Sequence, residues 1–286
     1  MPPRRPPTLR LRRLSAELRR LREGAGLGPR EVAEATGINT TTLYRIENAQ
    51  VRPQSRTLRD LLGLYQVPDS IRAELVEMAS NSGEQSWLQS FPPDLPGQYL
   101  NYIAFEGEAE SMVNFESMYV PGLLQTEDYT RATIRANLPG ATEDDAEQLV
   151  RVRQARQDAL ARENPLQLWA IVDEGALRRP VGGPSVMAHQ LAHLAEAASR
   201  PHIVLQVVPF KVGAHPGQAG AFAVLRFGEP SEIDVVYVEG QGSGLFLEGD
   251  TDVRRFTRIF EHLRALAMPP ADSVSLITDV ARTMAA

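Results

Sequence analysis

The sequence predicts a multi-domain protein in which an all-α helical bundle is followed by a mixed α+β domain. In the first 80 positions leucines recur every three or four residues, which is the spacing of one face of a helix. Farther along, short apolar runs typical of strands lie between helical segments. The length of 286 residues is typical of two domains, and 43% hydrophobic residues are enough to build two cores.

Composition excludes several classes of site. The chain contains no cysteine, which excludes a disulfide scaffold, a thiolate zinc site, an iron–sulfur cluster and a cysteine nucleophile. No apolar run reaches the roughly 18 residues needed to span a bilayer, and no apolar segment typical of a signal peptide follows the basic N-terminus. We therefore expect a cytoplasmic, nucleoid-associated protein with no membrane partner.

Charge is divided unevenly along the chain. Residues 1–66 contain 13 Arg and six acidic residues, a net charge of +7, whereas the remainder carries −13. A basic module followed by an acidic one suggests a polyanionic partner for the first module. A solvated basic face explains the same charge equally well, so charge alone leaves both interpretations open.

Five helices are predicted over residues 9–82, which form the first domain. The first helix spans about 9–23, where a stripe of leucines ends at two glycines: Leu11, Leu14, Leu18, Leu21, Gly24 and Gly26. Pro29 is favoured at the first position of a second helix, which runs to about Thr36. Ser55 is expected to cap the fourth helix, and Pro68 to open the fifth.

The third helix, Thr40 to Asn48, follows a turn at Gly37 and an N-cap at Asn39. A short helix, a glycine turn and a capped second helix form a helix-turn-helix, whose second helix enters the major groove of DNA. Leu43 and Ile46 must face the core, so the outward positions are Thr40, Thr41, Tyr44 and Arg45. Arginine can pair with guanine, and threonine and tyrosine can contact bases or phosphates, although capping alone also explains the threonines.

In this segment the sequence resembles the Cro/CI-type (XRE) helix-turn-helix regulators. The resemblance covers residues 9–80 and rests on Leu21-Arg22-Glu23, Gly26-Leu27, Glu31-Val32-Ala33, Thr36-Gly37-Ile38-Asn39, Leu43 and Arg45-Ile46-Glu47-Asn48. It implies binding to a double-stranded DNA operator. The alternative is a protein-binding use of the same bundle.

The resemblance also implies roles for single residues. The base-facing positions are Thr40, Thr41, Tyr44 and Arg45, and Thr42 and Arg52 match positions that usually contact phosphate. Arg30 and Arg56 are further expected DNA-binding residues. Arg30 is included because Pro29 stands where the family often has a polar residue that contacts the operator backbone. Arg22 and Glu47 match an internal ion pair of the family; otherwise they are two unrelated surface charges.

One departure from the family concerns the end of the third helix. Ala49 stands where the family usually has glycine. A left-handed alanine costs about 1 kcal/mol, so we expect the chain to leave the helix with Asn48 in the left-handed conformation instead.

Outside this domain, residues 1–8 are predicted to be a flexible basic arm and residues 83–98 a connector. Residues 99–286 form the α+β domain. Its helices are predicted near 100–112, 126–136, from 142 onward, 185–198, 250–266 and 272–284. Its strands are predicted at 115–120, 166–172, 202–208, 221–227, 233–239 and 244–248. The glycine-rich run 240–244 is interpreted as a hairpin turn, because strand-like residues follow it instead of a helix.

The second domain resembles the C-terminal domain of antitoxin-like (WhiJ-type) regulators of high-GC bacteria. The matching stretches are 120–132, 172–178, 207–210 with 213–215, and 236–239. Members are typically encoded beside a small partner protein, so the resemblance implies a co-encoded partner.

Few residues of the second domain suggest chemistry. His189 and His193 have the i, i+4 spacing of a zinc pair, but the glutamate that such a motif requires is absent, and we expect no metal site. His215 lies in a glycine-rich loop and, with Asp173 and Glu239, forms a candidate pocket; a plain surface loop is the alternative. No nucleophile is paired with a base, so we expect no enzyme and no cofactor.

Together these features predict a sequence-specific transcriptional regulator, a repressor or developmental regulator, that binds DNA as a homodimer. The second domain is expected to serve dimerisation, partner binding or effector binding. The alternatives are an antitoxin-like interaction protein whose main role is to bind a small co-encoded partner, and a small-molecule sensor.

Overall fold

The computed structural model describes residues 9–80, 97–228, 234–240 and 243–285. The chain forms two compact units, Met1–Ala104 and Phe105–Ala286. The expected order, an all-α bundle and then an α+β domain, is confirmed. The predicted arm at 1–8 and all but the last two residues of the predicted connector lie outside the described residues.

All five predicted helices of the first unit are present. They are α1 (Leu9–Gly24), α2 (Pro29–Thr36), α3 (Thr40–Glu47), α4 (Ser55–Leu64) and α5 (Asp69–Ser80). Their apolar faces meet in one core, whose fully buried members are Leu14, Leu18, Val32, Leu43, Ile46, Leu58, Leu61, Leu62 and Leu75. Burial of these side chains is what holds five short helices together, because helices of this length are only marginally stable in isolation.

Helix ends in this unit follow local chemistry. The Gly28 N–H donates to Glu31 Oε2 at 2.6 Å, which caps α2, and Gly37 ends that helix at φ 72°. Asn39 caps α3, since its Oδ1 accepts from the Thr41 N–H at 2.8 Å. The expected cap at Ser55 is wrong: Ser55 is already helical, and Gln54 precedes α4 without a side-chain cap.

The end of α3 also differs from the expectation. Asn48 has φ −106°, whereas Ala49 adopts the left-handed conformation at φ 53°. The Ala49 N–H donates to Ile46 O, and the Gln50 N–H donates to Arg45 O at 2.8 Å, so this conformation satisfies the last carbonyls of the helix. The Ala49 side chain is buried, and that burial offsets part of the backbone strain.

The second unit is built around one six-stranded sheet. Its strands are β1 (Ser111–Glu116), β2 (Gln167–Asp173), β3 (Ile203–Val208), β4 (Phe222–Arg226), β5 (Val235–Gly240) and β6 (Ser243–Leu247). Its helices are α7 (Glu127–Asn137), α8 (Glu143–Arg156), α9 (Glu174–Arg178), α10 (Pro184–Ala197), α11 (Asp250–Leu266) and α12 (Pro270–Ala285). The boundary between the units falls inside α6 (Gly97–Glu108).

The strand order is β3-β2-β1-β4-β5-β6. Strands β1, β2 and β3 are parallel, and β4 runs antiparallel to both of its neighbours, β1 and β5. Strands β1, β2, β3 and β5 therefore all end at the same end of the sheet, which we call its carboxyl end. The antiparallel pairing of β5 with β6 confirms the predicted hairpin.

The first strand is displaced from its predicted position at 115–120. It lies at Ser111–Glu116 and includes Asn114, a buried polar residue that the apolar pattern did not place in a strand. Asn114 is tolerated there because its Nδ2 donates to the Phe222 carbonyl at 3.1 Å. One face of the sheet packs on α11 and contains Phe115, Ile171 and Val224.

Candidate nucleic-acid interface

Helix α3 has a buried face and an exposed face. Leu43 and Ile46 are each 1% exposed and belong to the core of the first unit. Tyr44 is 59% exposed, although tyrosine usually buries its ring. The other predicted base-facing residues share its face: Thr40 and Thr41 are exposed, and Arg45 is half-buried. The exposed face therefore offers hydroxyl groups, an aromatic ring and a guanidinium group to a partner.

An ion pair ties the end of α3 to α1. Arg22 Nε donates to Glu47 Oε1 at 2.7 Å, and Arg22 Nη2 donates to Glu47 Oε2 at 3.0 Å. The two side chains are only 10% and 8% exposed. Arg22 Nη1 also donates to the Leu27 carbonyl at 3.0 Å, in the turn before α2. The hydrogen bond to Glu47 raises the pKa of Arg22 despite its burial, so the pair remains charged.

The residues predicted to contact phosphate differ in how exposed they are and in whether they bind other groups of the protein. Thr42 and Arg30 are exposed. The Arg56 side chain is 90% exposed near the start of α4, and its Nε lies 4.0 Å from Asp60. Arg52 is half-buried and its Nη1 donates to the Ala79 carbonyl at 2.9 Å, so part of its guanidinium group fastens the end of α5. Arg30 and Arg56 are therefore the freer cations.

Two exposed amides at the end of α3 escaped sequence reasoning. Asn48 Nδ2 donates to the Tyr44 carbonyl at 2.7 Å, which leaves its side-chain oxygen available. Gln50 is exposed, and its side chain has no hydrogen-bond partner among the described residues. Their position directly after α3 is the one sequence feature that could have indicated them. Side-chain amides at such a position can hydrogen-bond to adenine or contact phosphates.

The three candidate pocket residues of the second unit separate into two places. His215 Nε2 lies 3.1 Å from Asp173 Oδ2, and the His215 side chain is only 4% exposed. Because side chains alternate along a strand, Glu239 lies on the opposite face of the sheet, where its charge acts on Glu116. The structure therefore brings His215 and Asp173 together and leaves Glu239 apart from them.

The two helical histidines do not form part of a larger cluster. His189 is exposed, and burial lowers the pKa of His193. Within the described ranges, no group of three or more His, Cys, Asp or Glu residues is arranged to hold a metal ion. No helix in the described part of the chain is long and apolar enough to span a bilayer.

Comparison with known proteins identifies both parts of the chain. A helix-turn-helix domain model matches residues 13–75, which indicates DNA-binding regulation. A second model, described as a domain of unknown function (DUF5753), matches residues 99–279. No curated protein and no solved structure matched the chain. Because the second match spans more than half of the chain, the chain belongs to the DUF5753 family, and it joins that domain to a helix-turn-helix domain.

Proposed function

We propose that the protein is a sequence-specific transcriptional regulator of the Cro/CI type that binds operator DNA as a homodimer. The exposed face of α3 carries this proposal. It combines exposed Thr40, Thr41 and Tyr44 with half-buried Arg45, while the opposite face is fixed in the core. These side chains provide donors, acceptors and a planar cation of the kinds that read base edges in the major groove.

The surroundings of α3 support the same proposal. Arg30 and Arg56 are exposed cations suited to phosphate contacts, which position a protein on DNA without reading sequence. One helix buries too little surface for high affinity, so a dimer would read two half-sites about 34 Å apart or a multiple of that distance. The resemblance to Cro/CI-type regulators favours repression as the output.

The decisive experiment compares a base-reading residue with a phosphate-contacting residue. Genome-wide mapping of bound sites followed by footprinting identifies an operator, and affinities are then measured on operator and on random DNA at one fixed salt concentration. Arg45→Ala should cost about 1–3 kcal/mol on the operator only and relax specificity at one base pair. Arg56→Ala should weaken binding to both DNAs alike.

Arg56 is the better phosphate probe than Arg52, because loss of Arg52 would also release the Ala79 carbonyl at the end of α5. Equal losses on operator and random DNA for Arg45→Ala would contradict base reading by this residue. An operator without two-fold symmetry, together with a monomeric mass in solution, would contradict the homodimer.

For the second unit we propose a role in dimerisation or in binding a small co-encoded partner, as the resemblance to WhiJ-type regulators suggests, and no enzymatic activity. Co-expression with the neighbouring gene products distinguishes the two roles. If a small protein co-purifies in fixed stoichiometry and abolishes operator binding, the antitoxin-like alternative becomes the main function. If the chain dimerises and binds its operator alone, the second unit serves dimerisation.

A further inference from the structure

Three polar side chains lie on one face of the six-stranded sheet at its carboxyl end. Phe115 pairs with Phe222, which pairs in turn with Val238. One residue farther along, the same register aligns Glu116, Ala221 and Glu239. Since side chains alternate along strands, both carboxylates lie on the face opposite Phe115, flanking an alanine that contributes only a methyl group. Asn114 lies on this face too, two residues before Glu116.

These polar groups have unused hydrogen-bonding capacity. The Asn114 side chain is nearly completely buried, and its Nδ2 donates to Glu116 Oε1 at 3.3 Å and to the Phe222 carbonyl. Its Oδ1 accepts no hydrogen bond from any described residue. Glu116 is half-buried and, within the described ranges, accepts only from Asn114, while Glu239 is exposed. Among the described residues, Asn114 Oδ1, Glu116 Oε2 and the Glu239 carboxylate therefore have no hydrogen-bond donor.

Helix α8 supplies two arginines near Glu116, but their positive charge does not balance both carboxylates. The charge of Arg156 is balanced by Glu106, since two hydrogen bonds of 2.7 and 2.8 Å join their buried side chains. Arg153 Nη1 donates to Gln125 Oε1, a neutral amide, at 3.0 Å. Arg153 Nε is buried without a partner. Of the two arginines that act on Glu116, Arg153 has no acidic partner among the described residues. Glu116, Glu239 and Arg153 therefore carry a net charge of about −1 when both carboxyl groups are ionised.

The shortage of positive charge is reflected in the titration of Glu116. Burial, followed by the negative charge of Glu239, raises the pKa of Glu116 to about 8, although Asn114, Arg153 and Arg156 each act in the opposite direction. Tyr129, which also lies near Glu116, stays neutral because burial raises its pKa to about 12. Glu116 therefore holds a proton near neutral pH.

We propose that Glu116, Glu239, Asn114 and Arg153, the Glu116 cluster, bind a small molecule that carries a primary ammonium group. Three oxygen acceptors match the three N–H donors of an ammonium group, and its single charge neutralises the site. The buried Arg153 Nε–H requires an acceptor, so the ligand also carries an oxygen near its amine. A divalent metal ion fits less well, because Arg153 stands among the ligands and only two carboxylates are present.

Ethanolamine and choline provide a matched pair of probes for the full chain. Both are cations with a hydroxyl oxygen, but only ethanolamine has N–H donors. Affinity is measured by calorimetry and by the shift in Tm, at constant ionic strength. We expect ethanolamine to bind and stabilise the protein and choline to have little effect. Binding should be roughly tenfold tighter at about pH 8.5 than at about pH 6.5, because the ammonium ion displaces the proton from Glu116.

Two variants locate the effect. Glu239→Gln should weaken ethanolamine binding roughly tenfold through loss of a charge-assisted hydrogen bond. Glu116→Gln should weaken binding and remove its pH dependence. Glu163→Gln changes an exposed carboxylate outside the cluster. It should alter neither the affinity for ethanolamine nor the pH dependence of binding. Equal effects of ethanolamine and choline, equal stabilisation by Mg²⁺, or ethanolamine binding that survives both cluster variants would each overturn the proposal.

Discussion

Neutralising Glu47 should destabilise the first unit by about 3–5 kcal/mol, because it leaves the Arg22 guanidinium group buried without its carboxylate. Glu47→Gln changes the charge and hardly changes the size of the side chain. Both partners are at most 10% exposed, so solvent does not screen their interaction appreciably. The loss is a large fraction of the 5–15 kcal/mol that stabilises a typical domain.

The same substitution should have a different effect when Arg22 is absent. In an Arg22→Met background the Glu47 carboxylate is itself buried and unpaired, so Glu47→Gln should be neutral or stabilising. Glu17→Gln provides the control, because Glu17 pairs with Arg20 on the exposed side of α1, where that arginine is 69% exposed. Exposed pairs of this kind contribute about 0–1 kcal/mol.

Hydrogen exchange of backbone amides in α2 and α3 measures these changes in the full chain, without interference from the second unit. The Val32 and Leu43 amides are suitable reporters, since both donate within the first unit, to Gly28 and Asn39. If Glu47→Gln lowers the free energy of unfolding by the same amount with and without Arg22, the two residues are not coupled. In that case the geometry of the pair does not stabilise α3.

Two further predictions concern backbone strain and pH. Gln66 is exposed at φ 53°, so Gln66→Gly should raise the free energy of unfolding by about 0.5–1 kcal/mol in urea denaturation. Ala49→Gly relieves the same strain but loses a buried methyl group, so its effect should be close to zero; an equal gain at both sites would contradict this reasoning. Because the pKa of Glu116 is raised to about 8 from its ordinary 4.5, the folded state retains this proton longer than the unfolded state does. Stability should therefore fall as pH rises between these values, by at most about 1.4 kcal/mol per pH unit. Between pH 5 and pH 8 the free energy of unfolding of Glu116→Gln should rise relative to that of the wild type by about 1 kcal/mol or more. If urea denaturation gives a difference that does not change with pH, the raised pKa of Glu116 is refuted.

Sequence reasoning succeeded where neighbours along the chain control the outcome. The leucine stripe of α1 and the cap at Asn39 depend on residues within one or two helical turns, so their pattern is visible in the sequence. It failed at Ala49, because burial of that side chain, which offsets part of the strain, depends on how the helices pack. Arg52 is a similar case, since its hydrogen-bond partner lies 27 residues away.

The amino-acid order alone determined that a helix-turn-helix bundle precedes an α+β domain, and which side of α3 is polar. Helical and strand periodicities act over a few residues, and for that reason they can be seen without coordinates. Only the tertiary structure decided that Asn114 and Glu116 share a face of the sheet with Glu239, more than 120 residues later, while His215 meets Asp173 on the other face. Strand order and register arise from packing of the whole sheet, and a shift of one residue would move each of these side chains to the opposite face.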